Sequence, residues 1–109
     1  MVDRASVRFN YTRILKECFW DLNVSEEDLQ RIPLGQDERL KSMVIEKVLL
    51  NSTFFLKDLQ LFNLNDLEVF LQTYNIPKFN YDFVFRRKNM AESFFFGKPL
   101  LVEELKWRC

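Results

Sequence analysis

The fold of this chain is decided by residues 37–51, which read DERLKSMVIEKVLLN. The aspartate that opens this stretch is a good helix N-cap, and neither glycine nor proline interrupts the residues after it. Its apolar positions are Leu40, Met43, Val44, Ile45, Val48, Leu49 and Leu50. These side chains cover two faces of a helical wheel instead of one. The pattern therefore predicts a central helix that is buried on both sides.

Upstream of this helix, an apolar stripe with the spacing i, i+3, i+4, i+7 predicts a helix that begins near Thr12. The stripe consists of Leu15, Cys18, Phe19 and Leu22. Ser25, followed by three acidic residues, predicts the N-cap of a second, short helix that ends before Pro33. We expect residues 1–11 to form a short N-terminal arm and residues 12–109 to form one helical domain.

Downstream, polar residues precede each remaining apolar stripe and are candidate helix caps. They are Ser52 or Thr53 for a short helix, Asn65 for the next and Asn80 for a long one. Gly97 and Pro99 form a strong stop signal for the long helix, and a last short helix is expected over Val102–Trp107. The chain is thus predicted to be an all-α domain of about five to seven helices joined by short turns.

The composition favours binding over catalysis. The 109 residues include twelve phenylalanines, two glycines and no histidine, so the usual acid–base catalyst and phosphate-cradling loops are missing. The two cysteines lack metal-ligand spacing. We therefore expect a non-enzymatic protein with no catalytic residues, no cofactor and no metal. The enzymatic alternative is a carboxylate-based hydrolase that uses Asp21 or Glu27.

The sequence also predicts where in the cell the protein is located. The first ten residues contain no apolar signal segment, and no run approaches the roughly 18 apolar residues of a membrane span. Cys18 lies within an apolar stripe, where a buried and reduced thiol is expected. These features predict a cytoplasmic protein that does not associate with membranes.

The long helix contains one cation among apolar residues. On a helical wheel, Arg87 falls between Phe83 and Phe94, in the middle of the apolar face. An arginine there must be paired with a carboxylate, extend its charged end to solvent, or lie at a protein interface, where arginine is enriched beside aromatic residues.

Two further groups of aromatic residues are candidate partner anchors. Trp20 lies 100° around its helix from Phe19, so it either fills a second layer of the core or anchors an interface. The three consecutive residues Phe94, Phe95 and Phe96 span 200° of a helix and cannot all face one flat contact. Together with Asp21 and Arg87, they form the predicted partner-binding set.

DNA binding by a helix-turn-helix is the alternative function. Residues 66–74 would form its first helix and residues 80–95 the recognition helix. Arg86, Lys88 and Asn89 would then face phosphates and base edges. Asp82 would repel phosphate, which weakens this interpretation.

Charge is unevenly distributed although the chain is neutral overall. Residues 1–16 are net basic, whereas residues 17–38 are net acidic. This asymmetry is either ordinary surface variation or a means of pairing two copies as a homodimer.

The chain resembles a group of small helical prokaryotic proteins. The shared pattern has an early Phe-Trp-Asp at 19–21, a Val-Ile-Glu-Lys-Val-Leu helix at 44–49, a leucine-aromatic helix pair and a basic-aromatic helix at 86–96. The similarity covers most of residues 18–105. Members of the group are commonly encoded beside abortive-infection-type nucleotidyltransferase toxins. The resemblance thus implies an antitoxin-like protein whose partner is such a toxin.

Overall fold

The computed structural model describes residues 9–99, which form six α-helices and no β-strand. The helices are α1 (Tyr11–Cys18), α2 (Glu26–Arg31), α3 (Glu38–Asn51), α4 (Phe55–Asp58), α5 (Leu64–Thr73) and α6 (Tyr81–Phe96). Single 3-10 turns, Ile32–Leu34 and Leu59–Leu61, follow α2 and α4. The all-α prediction is therefore confirmed. The predicted arm lies mostly, and the helix over Val102–Trp107 wholly, outside the described residues.

The central position of α3 is also as predicted. This helix packs against α1, α4, α5 and α6, and its apolar side chains face two directions. The side chains that it buries are Val44, Ile45, Val48, Leu49 and the stem of Lys41. The Lys41 ammonium lies 3.2 Å from an Asp66 carboxylate oxygen, which compensates its charge. The other helices enclose α3.

Three of the predicted helix ends are present in the structure. The Asp37 side chain accepts hydrogen bonds from the backbone amides of Arg39 and Leu40, both at 3.1 Å. Ser25 and Asp28 form a reciprocal capping box at the start of α2. Gly97 ends α6 in the left-handed conformation, with φ 65°.

Other predicted boundaries are wrong. Helix α1 ends at Cys18, so Leu22 lies beyond it and is 40% exposed instead of extending the apolar stripe. The cap of α5 is Asn63, whose side chain accepts from the Asp66 amide at 2.8 Å, and Asn65 lies inside the helix. Both asparagines are competent caps; the buried Phe62 fixes the chain just before Asn63.

The core is one continuous cluster that includes residues from every helix. Its fully buried members on α1 and α3 are Ile14, Cys18, Val44, Ile45, Val48 and Leu49. Leu29, Leu59, Phe62, Leu67 and Ala91 close the cluster from α2, the 59–62 turn, α5 and α6. Within residues 9–99, no helix is long and apolar enough to cross a membrane.

Candidate partner-binding surface

Arg87 is placed where α6 meets the end of α3. One guanidinium nitrogen donates hydrogen bonds to the carbonyl oxygens of Leu49, at 3.0 Å, and Ser52, at 2.7 Å. These carbonyls belong to the last turn of α3 and the residue after it, so the arginine caps that helix. The guanidinium also lies over the rings of Phe55 and Phe83, 4.6 and 4.8 Å from their centroids.

The charge of Arg87 is not balanced by a carboxylate of residues 9–99, none of which lies within ion-pair distance. Burial lowers the pKa of its guanidinium from the ordinary value. Carbonyl dipoles and two aromatic faces are the groups that stabilise the cation. The predicted pairing of Arg87 with a carboxylate of the fold is therefore not found among residues 9–99. Neutral groups hold the arginine instead, and its contact with a partner carboxylate stays a prediction.

A buried polar network lies beneath this arginine. A nitrogen of the Arg13 guanidinium lies 2.8 Å from both carboxylate oxygens of Asp58, and the other terminal nitrogen lies 2.7 Å from Glu17. The Asp58 side chain is fully buried, and the Ser52 hydroxyl donates a short hydrogen bond to it. The network joins α1 to the end of α3 and to α4.

The same network fixes the backbone between α3 and α4. Glu17 accepts hydrogen bonds from the Thr53 amide, at 3.0 Å, and from the Thr53 hydroxyl, at 2.7 Å. These two bonds, more than the Arg13 contact, lower the pKa of Glu17. Neither Ser52 nor Thr53 is the N-cap of α4 that the sequence predicts. Phe54 occupies that position, and its amide donates to the Ser52 hydroxyl.

Phe54 is thereby held outward beside α6. Its ring is 57% exposed, and the Arg13 guanidinium lies 5.0 Å from the ring centroid. A shallow groove of about 380 Å³ separates Phe54 from Phe94, which is 52% exposed. The groove is lined by Thr53, Phe54, Phe55, Leu56, Lys57, Gln60 and Phe94, among which lysine is the one charged type.

These residues form one surface, which we call the aromatic surface. It consists of Phe54, Phe83 and Phe94 together with Arg87 and Lys57. On α6, Phe83, Arg87 and Phe94 follow each other at intervals of four and seven residues, so they share one side of the helix. Phe54 and Lys57 extend the surface onto the neighbouring α4 segment.

Two of the predicted anchors lie on a different segment. Trp20 follows α1 and is 77% exposed, so its interpretation as a second layer of core is wrong. Asp21 lies next to it and accepts a hydrogen bond from Lys47 on α3 at 2.9 Å, which lowers the pKa of Asp21. Both remain predicted partner contacts.

The three consecutive phenylalanines of α6 have different surroundings. Phe94 is exposed, whereas Phe95 and Phe96 are partly buried against the core. The rings of Phe94 and Phe95 meet edge to face, with centroids 4.9 Å apart. Phe95 therefore supports Phe94 from behind.

Two of the three residues predicted to contact DNA are engaged within the fold. Asn89 is 2% exposed, and its side-chain amide donates to the Pro99 carbonyl oxygen at 3.1 Å, so its assignment to base readout is wrong. Lys88 pairs with Glu92 at 3.1 Å, and Arg86 is exposed. The connection 74–80 has seven residues, longer than the three- or four-residue turn of a helix-turn-helix.

Sequence reasoning missed the Arg13–Asp58 network and the contribution of Phe54 and Lys57. The available signal was the aspartate at 58, the one acidic residue in the mostly apolar stretch 54–62. Its partner lies 45 positions away, and no local spacing indicates that distance.

The potential reactive groups of the described chain are poorly placed for chemistry. Within residues 9–99, no three side chains of the histidine, cysteine, aspartate and glutamate types are grouped to hold a metal ion. Burial, reinforced by the carboxylates of Asp58 and Glu17, raises the pKa of the Cys18 thiol to about 12. A thiol in this state is a poor nucleophile at neutral pH.

Comparison with protein-family models, curated proteins and solved structures finds no match to this chain. The case for a function therefore rests on the geometry of the aromatic surface.

Proposed function

We propose that this chain is a non-enzymatic interaction module that binds a partner protein through the aromatic surface. The observation that carries the proposal is the exposure of three phenylalanine rings on adjoining elements, namely Phe54 at 57%, Phe83 at 47% and Phe94 at 52%. Phe54 and Phe94 line one groove, and exposed apolar side chains that are grouped on a protein surface are typical of binding sites. Aromatic residues with an arginine among them are also the usual composition of interface hot spots.

The rigidity of the surface supports the same function. The Phe54 amide donates to the Ser52 hydroxyl, and its carbonyl oxygen accepts from the Asp58 amide. Arg87 is held by two carbonyl oxygens and two rings. A binding surface that is ordered before the partner arrives loses less conformational entropy on association. The surface is thus suited to direct docking.

The identity of the partner is proposed from the sequence resemblance alone. In that proposal, the partner is a nucleotidyltransferase-type toxin, and the chain neutralises it by binding. Trp20 and Asp21 would supply a second contact region on the acidic side of the molecule.

The test is affinity purification of the tagged full-length chain from cells that naturally produce it, after nuclease treatment. Phe94→Asp places a charge in the groove and should abolish recovery of the partner. Val69→Asp is the matched control, because Val69 is 51% exposed on α5 and lies outside the aromatic surface. Equal recovery with both variants, each folded by circular dichroism, would refute the proposal. Growth of cells that co-express the recovered toxin with each variant then tests neutralisation.

A further inference from the structure

We infer that the partner contributes an amphipathic helix whose apolar face covers the aromatic surface and which carries a carboxylate that pairs with Arg87. This inference rests on the proposed function and specifies the chemistry of its partner.

The electrostatic argument begins at Arg87. Its guanidinium is half-buried between Phe55 and Phe83, and one of its nitrogens is occupied by two carbonyl oxygens. Guanidinium is a five-donor group that matches a carboxylate in a two-pronged geometry. A partner helix that covers the rings would remove more water from this cation, and a carboxylate is the group that compensates such a loss.

The groove beside Arg87 adds no competing negative charge, and the Glu17 carboxylate that acts on Arg87 is already bonded to other groups. Lys57 lines the groove, and none of the groove-lining residues is acidic. The two nearest carboxylates of the network are already engaged, Asp58 by Arg13 and Ser52, and Glu17 by Arg13 and Thr53. The surface is thus apolar with a positive charge, and its complement is apolar with a negative charge.

The shape of the surface favours a helix as the occupant. The stripe from Phe83 to Phe94 covers twelve residues of α6 and rises about 16 Å, which equals about three turns of a docked helix. Residues 9–99 contain no strand, so they offer no sheet edge to which an extended segment could add. A helix laid against α6 and α4 can instead place side chains at i, i+4 and i+7 along the stripe.

The termini of the chain itself are less suitable occupants. The described chain ends at Pro99, beside Asn89, which lies about 160° around α6 from Arg87. Pro99 thus lies on the side of α6 opposite to Arg87, and residues 100–109 are net neutral, with Glu103 and Glu104 against Lys106 and Arg108. At the other end, residues 1–8 contain Arg4 and Arg8 against Asp3, so their net charge has the same sign as the surface. Both observations favour a separate molecule.

The test is selection of displayed helical peptides on the full-length protein, with Phe94→Asp as the counter-selection target. Four positions spaced i, i+3, i+4 and i+7 and their neighbours are randomised. We expect the peptides that depend on Phe94 to be enriched in aspartate or glutamate at one central position. Replacing that acid by its amide should weaken binding to the wild type at least tenfold, whereas the same replacement should have little effect on binding to Arg87→Met.

A second variant keeps the inference testable if Arg87→Met does not fold. Lys57 is exposed and has no role in the core, so Lys57→Glu should fold normally and weaken binding of the acidic peptides about fivefold or more. Phe94-dependent peptides without acidic enrichment would overturn the inference and leave the proposed function standing. No Phe94-dependent peptides at all would overturn both. A homodimer that dissociates in Phe94→Asp, detected by sedimentation velocity, would make a second copy the occupant and also overturn the inference.

Discussion

Asp58 is an acidic side chain with no exposure to solvent, and its burial depends on the contacts that surround it. Arg13 faces both carboxylate oxygens at 2.8 Å, and the Ser52 hydroxyl donates a further hydrogen bond. A buried pair of this kind adds little net stability compared with apolar residues of the same volume. Loss of one partner, however, leaves a charge without compensation in the interior.

We therefore expect Arg13→Met to lower the free energy of unfolding by about 3 kcal/mol. The control is Arg31→Met, which removes an ion pair to Asp28 at 3.0 Å whose arginine is 68% exposed. That exposed pair should contribute less than about 1 kcal/mol. Urea denaturation followed by circular dichroism measures both changes. Similar losses for the two variants would contradict the assigned role of Asp58.

The Cys18 thiol makes the free energy of unfolding depend on pH in the alkaline range. Burial, with the carboxylates of Asp58 and Glu17, raises the pKa of its thiol from 9.0 to about 12 in the folded state. Above pH 9 the unfolded chain loses a proton that the folded chain retains, so the free energy of unfolding falls as pH rises toward 12. Below pH 9 this contribution is constant.

The corresponding measurement compares the wild type with Cys18→Ala at pH 8 and pH 10.5. The variant is less stable at pH 8 because it leaves a small cavity, but it should lose less stability over this interval. Lysine and tyrosine titration affects both proteins equally and cancels in the difference. Parallel losses would show that the thiol ionises similarly in both states.

Some of these individual roles could be predicted from the sequence. The burial of Cys18 and the position of Arg87 on the apolar face follow from helical spacing, and the structure confirms both. The pairing of Arg13 with Asp58 could not be predicted, because the two residues lie on different helices and neither has a distinctive neighbour. The exposure of Trp20 depends on where α1 ends. The apolar stripe predicts a helix that continues to Leu22, whereas α1 ends at Cys18.

The helices themselves follow closely from local signals. Short-range chemistry alone determines three helix ends, namely those at Asp37, at the Ser25–Asp28 capping box and at Gly97. The segment between α3 and α4 departs from its local signals, and there the Ser52 and Thr53 hydroxyls donate to Asp58 and Glu17. Tertiary contacts override local preference at this place, and the same segment presents Phe54 to solvent.

The end of α6 allows a direct test of whether the backbone conformation of one residue contributes to stability. Gly97 has φ 65°, and a Cβ added there would meet no atom within 4 Å. Gly97→Ala should therefore lower the free energy of unfolding by about 1–2 kcal/mol through backbone strain alone. Gly35 has φ −86°, and a Cβ there would make ordinary van der Waals contact with the carbonyl oxygens of Ile32 and Arg31, at 3.6 and 3.7 Å. Gly35→Ala should therefore change stability by less than about 0.5 kcal/mol. Thermal denaturation separates the two, and equal effects would exclude strain as the cause.

The molecule as a whole is organised around α3, which contacts helices from both halves of the chain. Such an arrangement makes it difficult for one part to unfold while another remains. The sequence predicts this centre from its two apolar faces. It does not predict which sides of the surrounding helices stay exposed, because that depends on how each helix is rotated against α3.

We accordingly expect Leu49→Ala, at a fully buried position of α3, to lower the free energy of unfolding of the entire domain by about 3 kcal/mol. The loss should be the same whether unfolding is followed by helix content or by labelling of the Cys18 thiol on α1. Two separate transitions would show that α1 unfolds independently of the α3 core.

The link between Arg13 and Asp58 also has a consequence for the rate at which the protein unfolds. Several packed helix pairs are neighbours along the chain, such as α1 with α2, α3 with α4 and α5 with α6, so much of the structure can form through short loops. The Arg13–Asp58 contact joins positions 45 apart, and we expect it to form after the folding transition state. Arg13→Met should then leave the refolding rate nearly unchanged and accelerate unfolding in stopped-flow measurements. A salt link that forms late in folding would thus determine how long each folded molecule keeps its aromatic surface assembled.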